Sequence, residues 1–194
     1  MYSKKGFIII CLVILLALLI TGCLPTTTVT TPEMYFTFDS TTGTIIGYDI
    51  AGGLDVLIPS TIGGVAVEHI GLDAFLEKYL TSVIIPDSVT SIGECAFRIN
   101  LITSVTIPDS VTSIGNNAFA TNLLTSVTIS NSVMSIVSIV FASNPLTSVT
   151  IGAGVDINSD PATMGTNTGF KTVYDGGGKL AGTYNYTGGV WVKI

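Results

Sequence analysis

The chain is expected to fold as a mostly β solenoid of short parallel strands, wound in 22-residue coils and closed by a β-hairpin at each end. Three observations predict it. The stretch LTSVIIPDSV at Leu80 recurs as ITSVTIPDSV at Ile102, LTSVTISNSV at Leu124 and LTSVTIGAGV at Leu146, always 22 residues on. A fixed period in the twenties marks a stack in which each repeat is one coil. Within each unit apolar positions alternate with their neighbours along a short run, the period-two pattern of a strand with one buried face. The flanking segments lose the period and carry alternating residues around Gly, which suggests hairpins.

In the unit that opens at Leu80, Leu80, Val83 and Ile85 point inward and alternate with Ser82 and Ile84. Pro86-Asp87-Ser88 then breaks the strand, Pro by its fixed φ and Asp by its turn-forming side chain. Val89 and Ile92 return to the core, Gly93 is expected to permit a tight bend, Ala96 and Phe97 add a small and a large apolar group, and Asn100 ends the coil. The next unit repeats these columns as Ile102, Val105, Ile107, Val111, Ile114, Ala118 and Phe119. The one after reads Leu124, Val127, Ile129, Val133, Ile136, Val140 and Phe141. A large side chain fully buried contributes about 1.5–3 kcal/mol, and no single coil could bury its set alone.

An open stack exposes its end coils, which need caps. At the front, MYFTFDSTTGTIIGYDI alternates apolar and polar residues around Thr41-Thr42-Gly43. At the back, Tyr184 and Tyr186 precede Thr187-Gly188-Gly189, with Val190, Trp191 and Val192 after it, a second hairpin whose aromatics cover the last coil. Gly176 to Gly178 read as a flexible turn and not a phosphate loop, since they lack the Gly-Lys-Ser/Thr spacing and precede no expected helix.

Residues 1–22 read as an export signal: Lys4 and Lys5 form a basic start, Phe7 to Ile20 is unbroken apolar sequence, and Thr21-Gly22 precede Cys23. The apolar run is shorter than the about 20 residues a span needs, so a cleaved signal is favoured over a membrane helix. Ile20-Thr21-Gly22-Cys23 resembles the bacterial lipobox, which implies that Cys23 becomes the first residue of the mature protein and carries diacylglycerol. Acyl chains anchor a protein without a spanning helix, each buried methylene contributing about 0.8 kcal/mol. Residues 23–33, with the Thr- and Pro-rich LPTTTVTTPE, follow as lipidated Cys and extended tether. The remainder divides into an N-terminal cap (34–56), the solenoid (57–155) and a C-terminal cap (156–194).

The repeat resembles the leucine-rich repeats of the BspA-like class, whose unit runs LTSVxIPxSVTSIGxxAFxxC. LTSVIIPDSVTSIGECAF and ITSVTIPDSVTSIGNNAF match it almost residue for residue, and LIPSTIGGVAVEHIGLDAF matches the variant that opens such arrays. The resemblance implies a leucine-rich-repeat solenoid and adhesion or protein contact at the cell envelope. One departure matters: Asn100, Asn122 and Asn144, with Lys78 in the first coil, stand where the class has Cys. A column of Asn is expected to form a structural ladder, each amide serving backbone groups of its own and the next coil.

Seven Lys and Arg face thirteen Asp and Glu; without Lys4 and Lys5 the charge is near −8, which repels nucleic acid and anionic headgroups. Cys11 leaves with the signal and Cys23 is lipidated, so Cys95 is a lone thiol and no internal disulfide forms. Cys95 and His69, the one His, fall in different columns with no orienting carboxylate, which argues against a nucleophile and base. Asp87 and Asp109 stack in a turn column, but Asn131 and Ala153 continue it, so turn formation explains them better than a shared cation. The outward strand positions carry Ser104, Thr106, Ser126 and Thr128, neutral hydroxyls that can exchange hydrogen bonds with a ligand or simply favour strand. The expected protein is thus a monomeric, non-catalytic lipoprotein facing outward from the bacterial envelope, without cofactor or metal. It binds protein, or alternatively glycan, through these four residues and meets the membrane only by its lipid.

Overall fold

The computed structural model describes residues 30–136, 139–157, 165–166 and 169–194. The signal, the Cys23 lipidation site and residues 24–29 of the tether lie outside the described residues. In chain order, β1 (Phe36–Asp39) and β2 (Thr44–Tyr48) form an antiparallel hairpin, followed by β3 (Asp55–Leu57). A two-residue hairpin, β4 (Thr61–Ile62) with β5 (Val65–Ala66), precedes β6 (His69–Ile70). Each later coil then supplies one longer and one shorter strand: β7 (Ser82–Ile84) and β8 (Ser91–Ile92), then β9 (Ser104–Thr106) and β10 (Ser113–Ile114). The last two coils give β11 (Ser126–Ile129) with β12 (Ser135–Ile136), and β13 (Ser148–Ile151) with β14 (Asp156–Ile157). Helix α1 (Phe170–Gly176) and the antiparallel pair β15 (Gly182–Thr187) and β16 (Val190–Lys193) end the chain.

The longer strands stack as parallel neighbours one coil apart, Val127 opposite Val105 and Val149 opposite Val127. Two ordered groups result, β3-β7 and β9-β11-β13-β15-β16, with the ladder interrupted between β7 and β9. The two-residue strands β6, β8 and β10 extend the front hairpin into a second sheet, β1-β2-β6-β8-β10, with β12-β14 apart from it. The hairpins therefore close different sheets: β2 pairs with β6 at the front, and β15 with β13 at the back.

Gly93 and Gly115 explain how close the second sheet lets the coils come. Neither needs a left-handed φ; a Cβ on Gly93 would lie 2.7 Å from the carbonyl carbon of Gly71, and one on Gly115 2.5 Å from the Glu94 nitrogen. Gly93 thus serves close packing of coils and not the tight bend expected from sequence. The next residue in this column is Val137, which lies outside the described residues, and the second sheet is interrupted at the following strand pair, β10 and β12.

The third side of each coil is a stacked turn. Here Phe75, Phe97 and Phe119 N–H groups donate to the carbonyls of Ala96, Ala118 and Val140 in the next coil. Cys95, Asn117 and Ile139 in one column, and Ile99, Thr121 and Ser143 in another, hold φ between 48° and 58°. All seven inward columns expected from sequence are buried. The Phe75, Phe97, Phe119 and Phe141 rings stack at 4.9, 5.1 and 5.7 Å between centroids, nearly parallel. Tyr48 and Phe36 continue this column into the front cap.

Two features were not foreseen. Thr31, expected in the tether, is buried, and its hydroxyl accepts from the Leu57 N–H at 2.9 Å, while Glu33 accepts from the Gly63 N–H. The cap therefore begins by Thr31, and that residue covers the edge of β3. At the back, Phe170 and Tyr174 of α1 join Tyr184 and Trp191 in an edge-to-face aromatic cluster over the last coil. Gly176 to Gly178 end this helix and continue from it.

Candidate functional site

The SVT triplet builds the face. Val105, Val127 and Val149 are drawn into the core, so the strand alternation turns the residues on either side outward. Pairing of β9 with β11 sets Ser104 against Ser126 and Thr106 against Thr128. The four residues singled out from sequence therefore share one face, as neighbours roughly 4.8 Å apart across strands and roughly 6.6 Å apart along them. Pairing with β13 adds Ser148 and Thr150, and pairing of β13 with β15 adds Asn185 and Thr183. Sequence reasoning missed Thr183 and Asn185, although their alternation with the core-facing Tyr184 and Tyr186 was visible.

The hydroxyls in these rows differ in what they bond. At the back, the Ser148 hydroxyl donates to Asn185 Oδ1 at 2.9 Å, and the Thr150 and Thr183 hydroxyls share a bond of 2.9 Å. At the front, Ser82 and Thr81 hydroxyls donate to Asp55 Oδ1 at 2.8 and 2.6 Å. These bonds, that from Thr81 first, hold the Asp55 carboxyl below its ordinary range. Between the two ends, the side chains of Ser104, Thr106, Ser126 and Thr128 make no hydrogen bond among the described residues, and Ser104, Thr106 and Thr128 are exposed. The centre of the face is a patch of neutral donors and acceptors open to an incoming ligand.

The Asn column has a different task. Asn100, Asn122 and Asn144 are buried, each Oδ1 accepting from the N–H that opens its unit: Leu80, Ile102 and Leu124. Each Nδ2 donates to the Phe carbonyl of its own coil and to that of the preceding coil, as Asn122 does to Phe119 and Phe97 at 3.1 and 2.9 Å. The ladder expected from sequence is present but runs backward along the chain, to the preceding coil instead of the next. The side chain reaches toward the coil whose carbonyls lie within reach of the turn it closes.

The remaining candidate groups are not assembled into a reaction centre. His69 Nδ1 lies 2.8 Å from the Ser91 hydroxyl on the second sheet, whereas Cys95 sits in a left-handed turn on the third side. Among the described residues no three His, Cys, Asp or Glu side chains are grouped to hold a metal, and no helix is long and apolar enough to cross a membrane.

The repeat family matched by the sequence agrees with this architecture. Residues 59–166, more than half of the chain, match the model of the BspA type leucine rich repeat region in six copies. No curated protein matches the sequence. A solved structure, the leucine rich repeat protein of T. pallidum, is 17% identical with a TM-score of 0.40, over 75% of this chain and 95% of that one. The 22-residue coils, their stacked Phe column and the matched repeats establish that this chain belongs to the BspA-type leucine-rich-repeat family.

Proposed function

We propose that the chain is a lipid-anchored protein-binding module of the bacterial cell surface, which holds its partner against the central Ser and Thr hydroxyls of the longer-strand sheet. One observation carries the assignment. The ends of the hydroxyl rows are bonded internally, while Ser104, Thr106, Ser126 and Thr128 are left free. Uncharged donors and acceptors cost less to desolvate than charged groups, and a partner's backbone and polar side chains can replace their water hydrogen bonds. The outward rows offer no aromatic ring on which a sugar could stack, which favours protein over glycan. Repeat-family membership is consistent with an interaction module and does not name the partner.

The test is capture of immobilised envelope proteins, matrix proteins and glycans by residues 24–194. Retention of a protein that free sugars do not displace supports the assignment; displacement by sugar moves it to a glycan-contacting envelope protein.

A further inference from the structure

A groove lies at the interruption between β7 and β9. Its walls stay joined elsewhere: Phe75, Phe97 and Phe119 remain stacked, β8 and β10 remain paired, and the Leu101 N–H still donates to the Leu80 carbonyl. Only the longer-strand sheet parts. The groove encloses about 420 Å³, within the about 300–1,000 Å³ of small-ligand clefts. Val83, Ile85 and Val105 form its floor. They are 7, 6 and 5% exposed, against 2, 2 and 0% for Val127, Ile129 and Val149 in the closed part of the sheet.

Three features define the occupant. First, the Ile84 carbonyl accepts from the Ile58 N–H and the Ile107 N–H donates to Thr128, so alternation turns the main chain of Val83 and Ile85 toward that of Ser104 and Thr106 across the split. No ladder bond joins them. These groups can bond an extended main chain. Second, Ile84, 60% exposed and set between Leu57 of β3 and the column of Thr106, Thr128 and Thr150, forms an apolar lip above the buried Pro108 that also lines the groove. Third, Asp87, which is exposed, is the one ionisable residue among those lining the groove. Aliphatic walls that lead to a single carboxylate complement a long aliphatic stem tipped by a cation.

We propose that this groove receives a lysine or arginine side chain presented on an extended polypeptide, so that the β7–β9 split selects the partner for which the hydroxyl face provides area. The proposal rests on the protein-binding assignment above. It is tested with three blocked pentapeptides, acetyl-Thr-Val-Arg-Val-Thr-amide and its counterparts with Glu or norleucine for Arg, titrated into the detergent-solubilised full chain labelled at Ile and Val methyls. The Arg peptide should shift the Val83, Ile84, Ile85 and Val105 signals and bind at least about tenfold more tightly than the Glu peptide. Asp87→Asn should weaken the Arg peptide about three- to fivefold, the scale of an exposed ion pair, and leave the norleucine peptide unchanged. Thr106→Lys, which places a cation at the groove, should block the Arg peptide. Equal binding of the three peptides, no binding at all, or shifts confined to Val127, Ile129 and Val149 would overturn the groove while leaving the hydroxyl face as a docking surface. Loss of a captured protein by changes at Thr128 alone, with the groove shifts intact, separates the two sites.

Discussion

The Asn ladder allows the cost of removing a rung to be ranked by position. Replacing Asn122 by Ala removes the acceptor of the buried Ile102 N–H and one donor each to Phe97 and Phe119 carbonyls. Those carbonyls keep a partner, because Asn100 also donates to Phe97 and Asn144 also donates to Phe119. One group is therefore orphaned, at about 1–3 kcal/mol. Asn100→Ala differs, since the preceding residue of the column is Lys78 and no other side chain among the described residues serves the Phe75 carbonyl. Both that carbonyl and the Leu80 N–H lose their partner, at about 2–6 kcal/mol on the same scale. Urea unfolding followed by circular dichroism reads both values, provided the slope is unchanged. A larger loss for Asn122→Ala than for Asn100→Ala, or no loss for either, would refute the shared-carbonyl arrangement.

Phe119 is fully buried between Phe97 and Phe141, so Phe119→Ala should cost about 3–5 kcal/mol and lower the melting temperature by roughly 10 °C; an unchanged melting temperature would show that the column does not carry the core. Gly115→Ala forces a Cβ against the preceding coil and should cost about 1–3 kcal/mol. Gly176→Ala, with open space around it in α1, should be neutral or stabilising by up to about 1 kcal/mol; equal effects of the two would remove close approach as the reason for the glycine column. Cys23→Ala should abolish incorporation of a fatty-acid analogue and leave the precursor uncut, and equal labelling of wild type and variant would remove the lipid anchor.

The inward columns were legible because two independent periods, 2 within a strand and 22 between coils, mark the same residues, from Leu80 through Phe141. The hydroxyl rows followed from that alternation alone. The β7–β9 split was not legible, for the coils on its two sides are nearly identical and differ on the outward strand row only by Ile84 against Thr106. Helix α1 was hidden by its length: seven residues that end at Gly176, with two more glycines directly after, hold too few turns for a helical period to stand out. The docking of Thr31 depends on a single hydroxyl meeting an edge N–H 26 residues away, a contact that local pattern cannot encode. The direction of the Asn ladder was equally invisible, since spacing is symmetric and only the path of the turn distinguishes forward from back.

The most direct measurement is partner binding by the double variant Thr106→Lys, Thr128→Lys. Both positions are exposed neighbours on paired strands, so the fold should hold, with a stability change of about 0.5 kcal/mol or less per site. Two ammonium groups would then enter a contact built for neutral hydroxyls. If the face docks the partner, a variant with unchanged circular dichroism and melting should lose the protein retained by wild type. Binding of that protein by the well-folded variant as strongly as by wild type would contradict the assignment and leave the Ser and Thr rows as strand-forming surface.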